Sequence, residues 1–248
     1  MDEFLILLFL FAIGLVTGAI GSISGGVIMM AAPILASFNM PLANAIATAR
    51  IASIGSITGG LIQFHQAGKV KYTLAAEMML WSILGAVIGA HMLFSVPETD
   101  LGIYVGLLML FLLCFGFVKD RISIPKTWSL PLRHTLGRFL FFLSGIIGGF
   151  LGGQGIISSF LLMHVFQLSP SESIGTRKAI SMAVAFTAMF IYALWGEIYL
   201  VYGLAMFFGS FLGATFSSKW ILQRQESTVM LILNIVIIIL AIKLLFFT

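Results

Sequence analysis

The chain is written in long apolar stretches broken by short polar ones. From Phe4 to Ala49 no Asp, Glu, Lys or Arg occurs, and charge-free runs also fill residues 101–118, 139–171, 179–196, 198–218 and 227–242. Hydrocarbon offers no hydrogen-bond partners, so runs of this kind must be helical or sheltered by helices. Segment lengths predict helices near 4–22, 27–38, 43–66, 72–96 and 101–118, then near 136–151, 156–168, 172–195, 199–222 and 227–247. At about 1.5 Å per residue, crossing a core of about 30 Å takes roughly 20 residues. The segments after Gly26 and after Gly155 are too short for that and are expected to be re-entrant half-helices. Each follows a glycine-rich stretch, Gly21-Ser22-Ile23-Ser24-Gly25-Gly26 or Gly152-Gly153-Gln154-Gly155, a poor helix former that permits a tight reversal. Each ends before a proline-marked turn, at Asn39-Met40-Pro41 or Ser169-Pro170.

The two sets of segments also share residues. Gly68, Val70, Ser82, Leu84, Gly85 and Ala86 recur about 128 positions later as Gly196, Ile198, Ser210, Leu212, Gly213 and Ala214, while Thr48 and Ser53 recur as Thr176 and Ser181. The expected fold is an all-α polytopic membrane protein with two inverted-topology repeats, each a re-entrant helix pair plus three spanning helices. Residues 1–118 form the first repeat, 119–135 a basic linker, and 136–248 the second. Cations favour the cytoplasmic side of a membrane. From Lys119 to Arg138 the chain carries Lys119, Arg121, Lys126, Arg133 and Arg138 against Asp120 alone, so this linker is expected to be cytoplasmic. If each re-entrant pair returns to its own side, Lys69/Lys71 and Lys219/Arg224 fall inside, while Asp2/Glu3, Glu98/Asp100 and Glu197 fall outside. Counting the short segments as full crossings would break that agreement.

Composition closes off other classes. With 60% hydrophobic and 9% charged residues, the chain does not describe a water-soluble domain. The net charge of +4 sits in short loops as a topology signal, and no nucleic-acid site is read from it. The single cysteine, Cys114, excludes an internal disulfide and a cysteine-based metal cluster. The start Met1-Asp2-Glu3 lacks a basic n-region, so the first segment is expected to stay as a helix. No cofactor motif is present.

Two half-helices entering from opposite faces would bring N-termini rich in free N–H groups to a common point, which favours an anion. The candidate substrate-binding residues are Ser22, Ser24, Gly25 and Gly26 in one half and Gly152, Gly153, Gln154 and Gly155 in the other. The structural alternative for such small residues is close helix packing. Membrane-embedded cations narrow the site, because charge at depth is costly. Arg50 and the pair Arg177/Lys178 fall at matched depths of related helices, with Thr48 and Thr176 beside them. Arg50→Ala is expected to weaken anion binding with folding intact. His65, Glu77 and His91 are candidates for a proton relay, although Glu77 could instead pair with Lys69 or Lys71. His164 lies in the second half-helix.

At these residues the chain resembles a known family. The glycine-rich stretch, short apolar helix and proline turn lead into Ala45-Ile46-Ala47-Thr48 or Ser173-Ile174-Gly175-Thr176, followed by Gly68-x-Val70 or Gly196-x-Ile198. This is similar to the sulfite exporter TauE/SafE family of membrane transporters over essentially the whole chain. The resemblance implies a multi-pass transporter of the cytoplasmic membrane that moves sulfur-containing anions such as sulfite, thiosulfate or organosulfonates. Here the glycine runs are interrupted by Ile23-Ser24 and by Gln154. The expected partners are a small anion and the lipid bilayer, and the expected mechanism is alternating access by one half rocking against the other, with protons as a coupling ion for uptake. An anion channel built on the same half-helices is the alternative. An enzyme would need a nucleophile with its base or a metal cluster, and the chain has no HExxH, no Gly-x-Ser-x-Gly and no intramembrane pair of aspartates.

Overall fold

A computed structural model of the chain describes residues 3–118, 129–196, 198–225, 228, 229 and 231. Asp2, residues 119–128 of the basic linker, Glu197 and nearly all of the expected 227–247 helix lie outside the described residues. Those described form nine α-helices: α1 (Glu3–Ser24), α2 (Val27–Ala36), α3 (Leu42–Gln66), α4 (Tyr72–Ser95), α5 (Glu98–Val118), α6 (Leu130–Phe150), α7 (Gly155–His164), α8 (Pro170–Trp195) and α9 (Leu200–Leu222). Five of them, α1, α3, α4, α8 and α9, are long and apolar enough to cross a membrane. The chain therefore folds as a polytopic membrane protein. With 10 residues each, α2 and α7 reach only about 15 Å.

Local chemistry sets the boundaries. α6 starts at Leu130, six residues before the expected position, because Ser129 stands at its N-cap and Pro131 occupies the first turn. Residues 130–135 are thus helix and not linker. α8 opens with a capping box: Ser169 Oγ accepts from the Glu172 N–H, and Glu172 accepts from the Ser169 N–H. α2 and α7 stop earlier than expected. Asn39 and Gln167 follow them with φ of 59° and 56°, which breaks the helical path.

Helices pair across the two halves of the sequence. α1 lies along α9, and α4 lies along α6. Both seams bring backbones together. A Cβ on Gly14 or Gly18 would strike Met206 or Ser210, and one on Gly213 would strike the Leu15 carbonyl; in the other seam Gly145 and Gly85 stand in the same relation to Ser82 and Phe142. Residue numbers rise together in each seam, so the paired helices run parallel. Small residues at helix contacts permit this approach, which is how helices associate where apolar burial provides no drive.

α3 and α8 cross the centre in opposite directions. The Tyr199 N–H donates to Thr48 Oγ1 near the start of α3 (3.2 Å), and the Lys71 N–H donates to Thr176 Oγ1 near the start of α8 (3.0 Å). Lys71 also pairs with Glu172 at 2.8 Å. The turn at Gly68 and the turn at Gly196 therefore lie at opposite ends of α3. α3 is the most enclosed span, with 72% of its apolar window buried against 28% for α1.

The seams give a direct test. Gly85→Leu and Gly213→Leu should each destabilise the purified protein by about 1–3 kcal/mol through overpacking, seen as a lower thermal midpoint. Gly102→Leu, where a Cβ meets nothing within 4 Å, should leave the midpoint unchanged or raise it slightly. Equal effects at all three glycines would contradict the seams.

Candidate functional site

Both short helices begin where a long one stops in the bundle interior. The turn from α1 to α2 passes through Gly25 at φ +83°, and that from α6 to α7 through Gly152 at +79° and Gly153 at +73°. Only glycine takes these angles readily. The two turns meet: a Cβ on Gly25 would lie 2.6 Å from the Gly155 Cα, and the reverse holds for Gly155. The N-terminal turns of α2 and α7, Gly25/Gly26 and Gln154/Gly155, are thus neighbours. Each carries first-turn N–H groups that have no partner within its own helix.

The C-termini of α1 and α6 present the opposite problem, carbonyls with no partner in an apolar interior. Arg177 on α8 answers it for α1: its Nη2 donates to the Ser22 and Ile23 carbonyls, both at 3.0 Å, and its Nη1 to the Gly155 carbonyl at 3.1 Å. Arg50 on α3 does the same for α6, donating from Nη2 to the Gly148 carbonyl (2.8 Å) and the Gly149 carbonyl (3.3 Å). Tyr192 joins it, accepting from Arg50 at 2.9 Å and donating to the Gly149 and Phe150 carbonyls. A cation also suits the negative end of a helix dipole. The Gly148 carbonyl also accepts from the Gly152 N–H at 3.1 Å, so the guanidinium reinforces an end that Gly152 and Tyr192 hold as well.

Where these groups converge there is a cavity of about 40 Å³. Its walls come from Gly25 and Gly152–Gly155 at the turns, Arg50, Ser53 and Ser56 on α3, and Arg177, Lys178 and Ser181 on α8. The three cations are 3%, 2% and 3% exposed, and among the described residues no carboxylate lines the cavity. Two buried polar atoms in its wall have no partner among the described residues, Arg50 Nε and Gln154 Oε1. Gln154 Nε2 donates to Ser181 Oγ at 3.4 Å. Lys178 Nζ donates to Ser22 Oγ at 2.8 Å, and Ser22 Oγ lies 2.7 Å from Ser218 Oγ.

Of the candidate residues, the structure brings Gly25, Gly152, Gly153, Gln154, Gly155, Arg50, Arg177 and Lys178 to this cavity. Ser22, Ser24 and Gly26 sit just behind it. Ser24 Oγ bonds the Ile20 carbonyl and the Gly26 N–H at 3.4 Å each. Thr48 and Thr176 lie away from it, fastening the turns of the opposite half. The relay candidates are also peripheral. His65 Nδ1 is 2.7 Å from Tyr72 Oη, and His91 Nδ1 is 2.9 Å from the Val87 carbonyl. Glu77 pairs with Arg138 and His134, each at 2.8 Å, and not with Lys69 or Lys71, because α6 lies alongside α4 at that level while Lys71 turns to Glu172. His164 stacks on Phe160 with ring centroids 4.4 Å apart.

Sequence reasoning missed Ser53, Ser56, Ser181, Ser218 and Tyr192 as site or support residues. A signal existed for the first three. Ser53 lies three positions after Arg50, Ser56 three further on, and Ser181 three after Lys178, so each shares a helix face with the cation before it. Ser53 and Ser181 are moreover repeat partners. Nothing comparable marked Tyr192, whose role depends on α6 ending beside it.

Residues 10–244 match the family described as Sulfite exporter TauE/SafE. Among curated proteins, the chain is 24% identical over 230 residues to a probable membrane transporter protein of Haemophilus influenzae, covering 90% of this chain and 88% of that one. It is 26% identical to the probable membrane transporter protein ORF9 of a Sinorhizobium species, covering 98% and 93%, and 25% identical to the probable membrane transporter protein YtnM of Bacillus subtilis, covering 87% and 73%. No solved structure matches the chain significantly. With almost its whole length matched, the chain belongs to the sulfite exporter TauE/SafE family, a family of membrane transporters and not of enzymes.

Proposed function

We propose that this transporter carries small sulfur oxyanions of the sulfite or thiosulfate kind across the cytoplasmic membrane by alternating access, with the anion held in the cavity between the α2 and α7 turns. The observation that carries this reading is the lining itself. Arg50, Arg177 and Lys178 face one small space with no carboxylate in its wall, at the N-termini of two helices. Uncompensated charge at membrane depth is costly and marks substrate paths, and half-helix N-termini facing a central site are an anion-binding device of transporters. The sulfur chemistry comes from the family's name. Size favours a compact anion over an organosulfonate with a tail. A space of about 40 Å³ holds only a few atoms' worth of ligand or water.

The helix directions support inverted-topology repeats. α1, α3 and α9 run one way, and α4, α6 and α8 the other. The end carrying Lys69, Lys71, Arg133, Arg138, Lys219 and Arg224 then faces the cytoplasm by the positive-inside rule, together with the basic linker. Because helices pair across the halves, the rocking bodies are α1, α2, α3 and α9 against α4, α6, α7 and α8, with the cavity on their seam. The contact of Gly25 with Gly155 favours a carrier over a channel, since it leaves no open path between the turns.

Sulfite and thiosulfate should each raise the thermal midpoint of the purified transporter in nanodiscs, whereas taurine and sulfoacetate should not. A ligand at about 100 times its Kd adds roughly 2.7 kcal/mol. Stabilisation by the tailed sulfonates, or by none of the four, would contradict the assignment. Ser53→Ala and Ser181→Ala remove cavity hydroxyls that cap no helix. Each should weaken anion binding about tenfold to a hundredfold, the range of a hydrogen bond to a charge, without lowering the midpoint of the unliganded protein. Unchanged affinity in both would remove these serines from the site.

A further inference from the structure

We propose that Lys178 is the proton carrier of this transporter: it takes up a proton when the anion binds and releases it when the anion leaves, so that one proton moves with each anion. This inference rests on the anion-carrier reading of the cavity. The groups first considered for that role, His65, Glu77 and His91, do not line the cavity. Lys178 does, and its surroundings differ from those of the two arginines beside it. Arg50 and Arg177 are each held by backbone carbonyls, and a guanidinium keeps its proton in proteins. Lys178 bonds no carbonyl or carboxylate among the described residues. Its recorded contact is the Ser22 hydroxyl, and its remaining donors are free for the cavity.

Among the described residues, every element packed around Lys178 offers it either a neutral group or another cation. α1 presents Ser22, α3 presents Gly60 with Arg50 on the same cavity, α7 presents Gln154, and α9 presents Ser218, whose neighbour Lys219 is exposed. Arg177 precedes it on α8. Tyr192 is engaged with Arg50 and the end of α6. The carboxylates of α4 and α8, Glu77 and Glu172, are paired elsewhere, with Arg138 and His134 and with Lys71. An empty cavity would therefore hold three positive charges and no negative one if the amine were protonated. Lysine is the member of the trio that can relieve this by losing a proton. A bound anion reverses the balance and holds the proton on. Binding of one then favours the other by the same factor, since coupling between two ligands is reciprocal.

A chain of hydroxyls leads from the amine towards the end of α9. Lys178 Nζ, Ser22 Oγ and Ser218 Oγ form a chain with links of 2.8 and 2.7 Å, and either hydroxyl of the serine pair can donate to the other. Ser218 lies in the last turns of α9, beside exposed Lys219. On deprotonation the amine nitrogen keeps its lone pair and accepts from Ser22. On loading, the proton returns along the same hydroxyls, so no other reactant is needed.

Because the loaded state holds the extra proton, anion affinity rises as pH falls. The slope is about tenfold per pH unit across the range where the amine changes state, and it flattens outside that range. The test is direct proton uptake, followed with a pH electrode in weakly buffered nanodisc samples free of sulfonate buffers. Sodium thiosulfate and sodium sulfite, adjusted to the sample pH, serve as probes, and bound anion is counted in parallel. Wild type should take up about one proton per bound thiosulfate. Lys178→Arg and Lys178→Gln should show none per anion bound, whatever their affinity. Wild-type binding without proton uptake, or uptake that survives Lys178→Arg, overturns the inference and leaves the anion site standing. If neither variant can be purified, a flat wild-type affinity between pH 5 and about pH 9 overturns it equally. Failure of wild type to bind either anion overturns the site and this inference with it.

Discussion

A helix that stops inside an apolar bundle leaves carbonyl groups with neither water nor a next turn to accept from. α1 and α6 both do so, and the rest of the site follows from how those ends are satisfied. Arg177 binds the Ser22 and Ile23 carbonyls, and Arg50 with Tyr192 binds those of Gly148, Gly149 and Phe150. The side chains that seal the broken helices must be cationic or donor-rich, and they must sit on the long helices that cross the break. That places positive charge beside the glycine turns before any ligand is considered. The same turns release α2 and α7, whose first N–H groups open on the same space.

Two tasks therefore share one set of residues. The arginines hold helix ends together and also set the field in the cavity. Substitution of Arg177 would report on folding and binding at once. The neutral donors Ser53 and Ser181 and the lightly held Lys178 carry less structural duty. Packing repeats this economy on a larger scale. Gly85 and Gly213 close the α4–α6 and α1–α9 seams, joining helices from opposite halves of the sequence into two bodies that meet at the cavity.

Much of this was legible in the chain. Charge-free runs placed the helices, the shortness of the segments expected at 27–38 and 156–168 set them apart from the long ones, and the recurrence of Thr48/Ser53 as Thr176/Ser181 aligned the halves. Arg50, Arg177 and Lys178 stood out because charge is scarce at such depth. What the sequence could not show was who faces whom. Thr48 and Thr176 looked like lining beside the cations, yet their hydroxyls hold the Tyr199 and Lys71 amides across the bundle. Glu77 lay near Lys69 and Lys71 in sequence, but Arg138 and His134 reach it from α6. Contacts between distant segments depend on register between helices, and a one-dimensional pattern of hydropathy does not encode that register.

In the proposed carrier an oxyanion sits between the two glycine turns. Selenite, the heavier relative of sulfite, tests it most directly, because selenium scatters anomalously and can be located in crystals of the soaked transporter. An anomalous peak is expected inside the cavity, within hydrogen-bonding reach of Lys178 and of the Ser53 and Ser181 hydroxyls, and should be lost on competition with sulfite. A competable peak elsewhere in the bundle, with this cavity holding only water, would contradict it.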